Sequence, residues 1–315
     1  MKITILNFSF LHPEHIQKLK ALGEVVEYDS TKTVEETIER LRGTDVAVAD
    51  CWEAPLNEEV FNASGDLKYL TLNSTGYEQV DIQTAKEKGV MVANIPNFST
   101  DSVAEQTIAL LFAVVRHVPV ADRAVRANPF QIDPANRSQD IYLGVNVRDK
   151  VLGIIGLGHI GTRVAELAQG LGMTVKAYNR SPKTVPGVEM VDLQTLLKTS
   201  DVVSLNSAFS PELKEVINKD TIALMKPGAV LINTARGALV DEKALAEALG
   251  TKHVAGYGVD LLADWSLNNP LLKLDNVVFS PHTGFFTKES LKNMADIIVE
   301  NIESYAAGNP KNVVN

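Results

Sequence analysis

The chain has 315 residues, which exceeds the usual size of one domain and favours two. Hydrophobic residues make up 45% and charged residues 22%, an ordinary globular composition that excludes fibrous and disordered classes. The formal net charge of −9 argues against a general nucleic-acid-binding surface. It does not exclude an anionic small molecule, because such a ligand needs only a local cation or a helix N-terminus.

Features that report on cellular location favour the cytoplasm. Cys51 is the only cysteine, so we expect no disulfide framework, no cysteine-based metal site and no metal. The longest apolar stretch, residues 108–115, is far too short for a bilayer span, and no membrane partner is expected. The N-terminal residues lack the apolar region and cleavage site of a signal peptide, and we expect them to form the first strand.

The first hundred residues alternate short segments rich in β-branched or aromatic residues with polar segments of helical spacing. The predicted strands are 2–7, 24–28, 46–49, 69–72 and 90–93. Predicted helices include 15–22, 34–42 and 82–88, each followed by a glycine where the helix would end. Such alternation predicts a mostly parallel sheet with helices on both faces, an α/β fold.

A long helix is predicted from Asp101 to roughly Asn128, because Asp101 is a suitable N-cap and the following apolar residues have helical spacing. We expect Pro129 to mark its end and residues 133–149 to form a surface connection. A second alternation then begins, with predicted strands at 151–155, 174–178, 202–205, 229–233, 253–259 and 276–280. The last helix, 288–307, is long enough to return to the first domain. The predicted domains are 1–99 plus 288–315, and 100–287.

A glycine-rich string, Gly156-Leu157-Gly158-His159-Ile160-Gly161, lies between a predicted strand and a predicted helix. The spacing G-x-G-x-x-G is weak evidence alone, but a second strand arrives about 20 residues later, as the dinucleotide fingerprint requires. The first glycine permits the turn, the second the approach of a diphosphate and the third close helix packing. A tight turn without a ligand is the alternative; we favour the dinucleotide site.

The end of that second strand selects the cofactor. NAD-binding proteins place Asp or Glu there for the ribose hydroxyls, and such a carboxylate repels a 2′-phosphate. This chain instead has Asn179, Arg180 and Ser181, which suit a 2′-phosphate better. We therefore favour NADP(H) over NAD(H), although Arg180 as a solvent-facing side chain without a role is the alternative.

Three residues of possible chemical importance follow predicted strands of the second half. Arg236 follows strand 229–233, Asp260 follows 253–259, and His282 follows 276–280. Separately, they could be a surface cation, a turn former and a loop histidine. Ligands of open α/β sheets bind beyond the carboxyl ends of the strands, so three such residues in succession favour a reactive site.

The chain resembles the D-isomer-specific 2-hydroxyacid dehydrogenases over nearly its whole length. The matching segments are 73–99, TDSVAEQ at 100–106, LGIIGLGHIG at 152–161, MKPGAVLINTARG at 225–237 and SPHTG at 280–284. Within the family, TDSVA is most similar to glycerate dehydrogenases and hydroxypyruvate (glyoxylate) reductases. The resemblance implies two doubly wound parallel-sheet domains, a flavodoxin-like substrate domain and a Rossmann dinucleotide-binding domain, assembled as a homodimer.

The resemblance also implies roles for individual residues. Arg236 would hold the substrate carboxylate, and His282 would give a proton to the keto oxygen as hydride arrives from the nicotinamide. Main-chain N–H groups around Ser74, Thr75 and Gly76 would complete the carboxylate site. The positions that match cofactor-lining residues of the family are His159, Ile160, Ser207, Ala208, Thr234, Ala235, Arg236 and Asp260.

The chain departs from the family pattern at two places. The family has a catalytic Glu five residues after the Asp that corresponds to Asp260, where this chain has Trp265. Asp264 is the nearest carboxylate, and we hypothesise that it pairs with His282 and raises the histidine pKa. The second departure is Asn206-Ser207-Ala208, where the family commonly has His-Cys-Pro.

The leading hypothesis is an NADPH-preferring reductase of glyoxylate, hydroxypyruvate or a similar small 2-keto acid. The rival is a dinucleotide-sensing binding protein of the same fold with little catalysis, which the missing Glu alone favours. Formate or phosphite oxidation is less favoured, because formate dehydrogenases carry a Gln associated with the histidine and Ser280-Pro281-His282 shows none. Side-chain selectivity would come from loops of the first domain.

Overall fold

The computed structural model describes residues 1–7, 9–127, 142–181 and 183–315. These residues divide into two compact units, the first formed by Met1–Ser99 and Phe286–Asn315 and the second by Thr100–Phe285. Asn128, Pro129 and most of the predicted connection 133–149 lie outside the described residues. In the described part of the chain, no helix combines the length and apolar character that crossing a membrane requires.

The first unit is built on a five-stranded parallel sheet in the order β2-β1-β3-β4-β5. Its strands are β1 (Lys2–Ile5), β2 (Glu24–Glu27), β3 (Val46–Ala49), β4 (Tyr69–Leu72) and β5 (Met91–Ala93). Its helices are α1 (Pro13–Leu22), α2 (Val34–Leu41), α3 (Glu58–Ala63), α4 (Ile82–Glu87) and α11 (Lys288–Ala306). This strand order is that of the flavodoxin-like fold, so the predicted architecture of this unit is confirmed.

The second unit begins with two helices, α5 (Thr100–Val115) and α6 (Val118–Ala127), where the sequence predicted a single one. The prediction of one helix from Asp101 to roughly Asn128 was wrong, because Pro119 interrupts the helix. A proline has no N–H to donate, and its ring clashes with the carbonyl four residues earlier, here that of Val115. The chain turns at His117, whose φ of 52° lies in the left-handed region.

A seven-stranded parallel sheet forms the centre of the second unit, in the order β12-β11-β10-β9-β6-β7-β8. Its strands are β6 (Val151–Ile155), β7 (Thr174–Tyr178), β8 (Val188–Met190), β9 (Val202–Leu205), β10 (Ala229–Asn233), β11 (Val254–Val259) and β12 (Val277–Phe279). Its remaining helices are α7 (His159–Gly170), α8 (Leu193–Thr199), α9 (Lys219–Leu224) and α10 (Glu242–Gly250). The strand order reverses between β6 and β9, which confirms the predicted Rossmann-type sheet.

Helix α5 packs closely over β11 because that strand carries glycines. A Cβ added at Gly256 would lie 2.4 Å from Val114 Cγ1, and one at Gly258 would lie 3.0 Å from Leu110 Cβ. Larger residues at these positions would push the helix away from the sheet. The contact fixes the buried helix directly over the strand that ends at Asp260.

Candidate active site

The glycine-rich turn connects β6 to α7 and has little room for side chains at two of its glycines. Gly156 adopts a φ of 96°, and a Cβ there would lie 2.6 Å from Ser207 Cα. A Cβ at Gly161 would lie 2.1 Å from the carbonyl oxygen of Gly156. The chain therefore needs glycine at both positions, one for the left-handed turn and one for close helix packing.

Gly158 differs from these two glycines because a Cβ there would meet no protein atom within 4 Å. Gly158 is the N-cap of α7, and it is followed by His159 and Ile160 in the first turn. The N-terminus of a helix carries unused N–H groups and a partial positive charge, both of which favour a phosphate. Open space at this glycine fits the close approach of a dinucleotide diphosphate.

The end of β7 is held to the glycine-rich turn by an amide side chain. Asn179 Oδ1 accepts a hydrogen bond of 3.2 Å from the Leu157 N–H, and its Nδ2 donates to the Ser181 carbonyl at 2.8 Å. Arg180 is 80% exposed and lies 3.9 Å from Glu212, an ion pair too solvated to fix the guanidinium strongly. This strand end therefore presents an amide, a hydroxyl and a cation.

The loop after β9 lies against the glycine-rich turn at Ser207. Asn206 donates its main-chain N–H to the Ile155 carbonyl at 2.9 Å, and its Oδ1 accepts a 2.7 Å bond from Ser204. Its buried Nδ2 has no hydrogen-bond partner among the described residues. A buried donor of this kind is costly unless a ligand or water accepts from it. Together with the space at Gly158, it indicates that a polar ligand fits here.

The three predicted reactive residues emerge at one edge of the sheet. Strands β10, β11 and β12 are neighbours, with Asn233 paired to Val259 and Val259 paired to Phe279. Since adjacent parallel strands lie about 4.8 Å apart, the segments that follow these residues begin side by side. Arg236, Asp260 and His282 therefore belong to neighbouring loops at the carboxyl edge.

Asp260 organises the segment that carries His282. The carboxylate of Asp260, 3% exposed, accepts hydrogen bonds from the Ser280 hydroxyl and from the N–H groups of Thr283 (3.0 Å) and Gly284 (2.9 Å). Its main-chain carbonyl accepts the His282 N–H at 2.8 Å. His282 has a φ of 55°, a conformation that costs energy for a non-glycine residue unless its surroundings impose it. Asp260 supplies these surroundings.

Arg236 is fixed from the end of β10. The buried Asn233 accepts the Ala235 N–H on Oδ1 at 3.0 Å and donates from Nδ2 to the Arg236 carbonyl at 3.0 Å. Thr234 shares a 2.8 Å hydrogen bond with Thr107 of α5. Because the Thr107 hydroxyl already donates to the Val103 carbonyl, Thr234 is the donor of that bond. The main chain at residues 234–236 is thus held by hydrogen bonds from helix α5 and from the end of β10.

Asp264 lies in the exposed loop after β11. Its two carboxylate oxygens accept hydrogen bonds from Ser266, one from the N–H at 2.8 Å and one from the hydroxyl at 2.9 Å. These bonds hold the pKa of Asp264 below its ordinary value, so the side chain is an anion at neutral pH. Its pairing with His282 stays a prediction. Trp265, the next residue after Asp264, is 56% exposed.

The loop that carries Asp264 is anchored by a buried carboxylate that sequence reasoning missed. Glu242, 8% exposed, accepts hydrogen bonds from the Ala263 N–H at 2.7 Å and from Asn269 Nδ2 at 2.8 Å. A Cβ at Gly237 would lie 2.1 Å from the Ala263 nitrogen, so this loop also touches the residue after Arg236. The shape of the loop therefore depends on the start of α10, a relation that no sequence spacing reveals.

The segment Ser74–Gly76 follows β4 in the first unit. Its three carbonyls accept bonds from within that unit: Ser74 from the Ile95 N–H (3.2 Å), Thr75 from Asn94 Nδ2 (2.8 Å), and Gly76 from the Ser74 hydroxyl (2.7 Å). Within the described residues, the N–H groups of Ser74, Thr75 and Gly76 donate no hydrogen bond. Successive unused N–H groups favour an anion. The part of Ser74, Thr75 and Gly76 in a carboxylate site stays a prediction.

Comparison with protein families gives a match to one model, "D-isomer specific 2-hydroxyacid dehydrogenase, NAD binding domain", over residues 108–284. The matched range includes the glycine-rich turn and the ends of β10, β11 and β12. It covers more than half of the chain. The expectation of a nicotinamide dinucleotide at this sheet edge is in line with that description.

Relatives with assigned names are similar over most of the chain. A hydroxypyruvate reductase from Blautia hydrogenotrophica is 37% identical, with all of both chains covered. A glyoxylate reductase from Thermococcus litoralis is 37% identical over 88% of this chain and 86% of its own. An acyclic imino acid reductase in complex with NADPH and D-Arg is 35% identical, with a TM-score of 0.92 and full coverage of both chains.

These names are those of reductases, so they do not favour the expectation of a dinucleotide sensor with little catalysis. The family model, the identity above 30% over nearly the whole chain and the two parallel-sheet units agree with one another. The chain therefore belongs to the D-isomer specific 2-hydroxyacid dehydrogenases, a family of NAD(P)-dependent oxidoreductases.

Proposed function

We propose that this chain is an NADPH-preferring reductase of a small 2-keto acid of the glyoxylate or hydroxypyruvate class. One observation carries the proposal: Arg236, Asp260 and His282 follow three adjacent parallel strands, and Asp260 holds the His282 main chain at 2.8 Å. A cation for a carboxylate and an imidazole for proton transfer are what reduction of a keto acid needs. The names of two relatives, a hydroxypyruvate reductase and a glyoxylate reductase, support the substrate class.

In this proposal each residue has a separate task. The Arg236 guanidinium donates two parallel hydrogen bonds to the substrate carboxylate and thereby orients the neighbouring carbonyl. The cofactor, when bound, supplies a hydride to the carbonyl carbon. His282, as an imidazolium, donates a proton to the carbonyl oxygen, and in the reverse direction the neutral ring accepts the hydroxyl proton. Asp260 keeps His282 in position through the segment 280–284.

The preference for NADPH rests on the end of β7. The chain has no carboxylate at Asn179, Arg180 or Ser181, and the amide of Asn179 already bonds to Leu157 of the glycine-rich turn. A 2′-phosphate at this strand end would face a guanidinium and neutral donors instead of a repelling anion. The related imino acid reductase was solved with NADPH, which supports the same preference.

Steady-state kinetics with a panel of 2-keto acids test this proposal. NADPH oxidation is followed at the nicotinamide absorbance band with glyoxylate, hydroxypyruvate, pyruvate and longer keto acids, and the series is repeated with NADH. We expect turnover with the smallest acids and a higher kcat/KM with NADPH. Pyruvamide, which lacks the carboxylate, is the matched control and should be a poor substrate. Absence of turnover across the panel would refute a reductase of this class.

A second candidate activity is reduction of 2-imino acids. The observation that favours it is Trp265, which occupies the place of the Glu that keeps the family's histidine protonated. A protonated imine already carries its positive charge, so hydride addition to its carbon yields a neutral amine without prior proton donation. An acyclic imino acid reductase is among the relatives of highest structural similarity to this chain. Weakened proton donation would therefore cost less with an imine than with a ketone.

Adding an amine to the keto-acid assay separates the two activities. A keto acid and excess ammonia or methylamine equilibrate with the imine, so an imine reductase oxidises NADPH faster as amine is added and forms an amino acid. A keto-acid reductase gains no rate from the amine, which only removes part of its substrate, and forms only the hydroxy acid. Product identification by chromatography decides between them, because the two products differ in charge and mass.

We further propose that the chain is a homodimer in the cytoplasm. Helix α6 has no buried residue, and its Val118 and Val125 are 54% and 47% exposed; apolar side chains left exposed together on one helix are typical of a partner surface. A single, buried cysteine fits a reducing compartment. Light scattering of the purified chain measures the oligomeric state, and a monomer at micromolar concentration would refute the dimer.

A further inference from the structure

Lys183, which lies just beyond the predicted cofactor-selecting residues, reaches back to the glycine-rich turn. Its Nζ donates a 2.7 Å hydrogen bond to the Leu157 carbonyl and lies 3.2 Å from the Thr162 hydroxyl. Leu157 belongs to the turn, and Thr162 lies near the start of α7. The ammonium group is therefore fixed beside the turn that the family uses for a dinucleotide.

The charge of Lys183 is not neutralised by the protein. Both of its contacts are neutral oxygens, and within the described residues no carboxylate forms an ion pair with it. Two other cations near this sheet do have acidic partners: Arg163 pairs with Asp101 at 2.8 Å, and Lys176 pairs with Glu189 at 3.4 Å. An ammonium has three N–H donors, and the two contacts leave one for an anion.

The position of the ammonium indicates which phosphate it would meet. Both main-chain polar groups of Leu157 bond to the segment after β7: its N–H to Asn179 and its carbonyl to Lys183. The end of β7 is where a dinucleotide-binding fold contacts the adenosine ribose, whereas the diphosphate lies at the helix N-terminus next to Gly158. Lys183 is thus attached to the ribose side of the turn.

We propose that Lys183 is a ligand of the 2′-phosphate of NADPH. It acts with Arg180 and Ser181 and confers the larger part of the discrimination against NADH. Both cations are exposed residues, but the Lys183 ammonium is held by two hydrogen bonds, whereas Arg180 has only an ion pair of 3.9 Å. The proposal rests on the NADPH preference proposed above. It adds a residue that neither the glycine motif nor the Asn179–Ser181 segment identifies.

Direct binding measurements on Lys183→Met test this inference. Dissociation constants for NADPH and NADH are measured by calorimetry or nicotinamide fluorescence, without substrate. Methionine keeps the length and apolar stem of lysine but removes the charge. We expect the Kd for NADPH to rise by about tenfold to a hundredfold, while the Kd for NADH changes less than about twofold. Lys176→Met removes a paired lysine of the same sheet and should leave both constants unchanged.

Three results would overturn or separate the proposals. Equal weakening of NADPH and NADH binding by Lys183→Met would show that Lys183 shapes the turn or meets the diphosphate. Unchanged binding of both would show that it contacts neither phosphate. If the unmodified protein binds NADH as tightly as NADPH, the proposed preference itself fails; 2′,5′-ADP against 5′-AMP then still measures whether Lys183 contacts a 2′-phosphate.

Discussion

Two strand ends of the second unit are built in opposite ways. At the end of β11, Asp260 is 3% exposed and its carboxylate accepts hydrogen bonds from three donors of the segment 280–284, which follows the neighbouring strand β12. At the end of β7, Arg180 is 80% exposed and faces Glu212 across 3.9 Å. The end of β11 is buried and held by several hydrogen bonds, whereas the end of β7 is exposed and held by few hydrogen bonds.

The two strand ends suit two different tasks, proton transfer and cofactor recognition. A proton-transfer group must be placed within a fraction of an ångström, so burial and many bonds at Asp260 suit the segment of His282. Recognition of a phosphate depends mainly on charge, so the end of β7 can be exposed and tuned by single residues. Substitutions at the first end should therefore change turnover, whereas those at the second should change cofactor choice.

His282→Asn should have the largest effect. Asparagine tolerates the positive φ of this residue better than most side chains, so the substitution removes the acid–base group and keeps the main chain. We expect kcat for keto-acid reduction to fall by roughly 10²–10⁴. The Kd for NADPH should be unchanged, which shows that the fold persists. A variant that keeps more than a tenth of the activity would remove His282 from the reaction.

Asp260→Asn should disturb the buried end of β11 by weakening its hydrogen bonds to the segment that carries His282. One side-chain oxygen becomes an NH₂ group that faces the N–H of Thr283 or Gly284, and a buried donor facing a donor costs about 1–3 kcal/mol. The segment of His282 then loosens, so we expect kcat to fall about a hundredfold and the Tm by several degrees.

Ser280→Ala is the matched control for Asp260→Asn, since it removes only one of the donors to the carboxylate. Its effect on kcat and on Tm should be clearly smaller. If both variants keep full turnover while the Tm falls, Asp260 stabilises the fold without positioning His282.

The sequence predicted features that depend on residues close together in the chain, and it did not predict contacts between distant residues. The glycine-rich turn and the order of the strand ends depend on residues close in sequence and on the regularity of parallel sheets, so the α/β architecture could be predicted. The hydrogen bonds that the Asp260 carboxylate accepts from the segment 280–284 span twenty or more residues, and no sequence spacing reveals them. The contact of Lys183 with Leu157 is of the same kind.

The errors have equally local causes. The prediction of a single helix from Asp101 failed because the hydrophobic spacing continues past Pro119. A proline has no N–H and cannot donate the backbone hydrogen bond that a helix interior requires. Strand β8 (Val188–Met190) was missed because it is a three-residue strand at the edge of the sheet, too short to show a clear alternation of apolar and polar residues. The role of Glu242 was hidden because a glutamate in the first turn of a helix is ordinary in sequence.

Asn179→Asp should change the exposed end of β7, and it also removes the Nδ2 hydrogen bond to the Ser181 carbonyl. A carboxylate keeps an oxygen for the Leu157 N–H but repels a 2′-phosphate and can accept from ribose hydroxyls. We expect the NADPH/NADH ratio of kcat/KM to fall by roughly tenfold or more, with kcat at saturating cofactor nearly constant. A ratio that does not change would mean that the end of β7 does not select the cofactor.

The smallest effect is expected for Asp264. Its loop is exposed like the end of β7, but its carboxylate accepts two hydrogen bonds from Ser266. If its anion raises the pKa of His282, Asp264→Asn lowers that pKa, and reduction, which needs the imidazolium, is lost at a lower pH. We expect this limb of the kcat/KM profile to move down by less than about one pH unit, since an exposed pair interacts weakly. Ser266→Ala removes the hydroxyl bond to Asp264 Oδ2 and leaves that oxygen available to the histidine, so the same limb should stay in place or move up. A profile that is identical in all three proteins would exclude Asp264 from the site and leave His282 to donate its proton without a carboxylate partner in this loop.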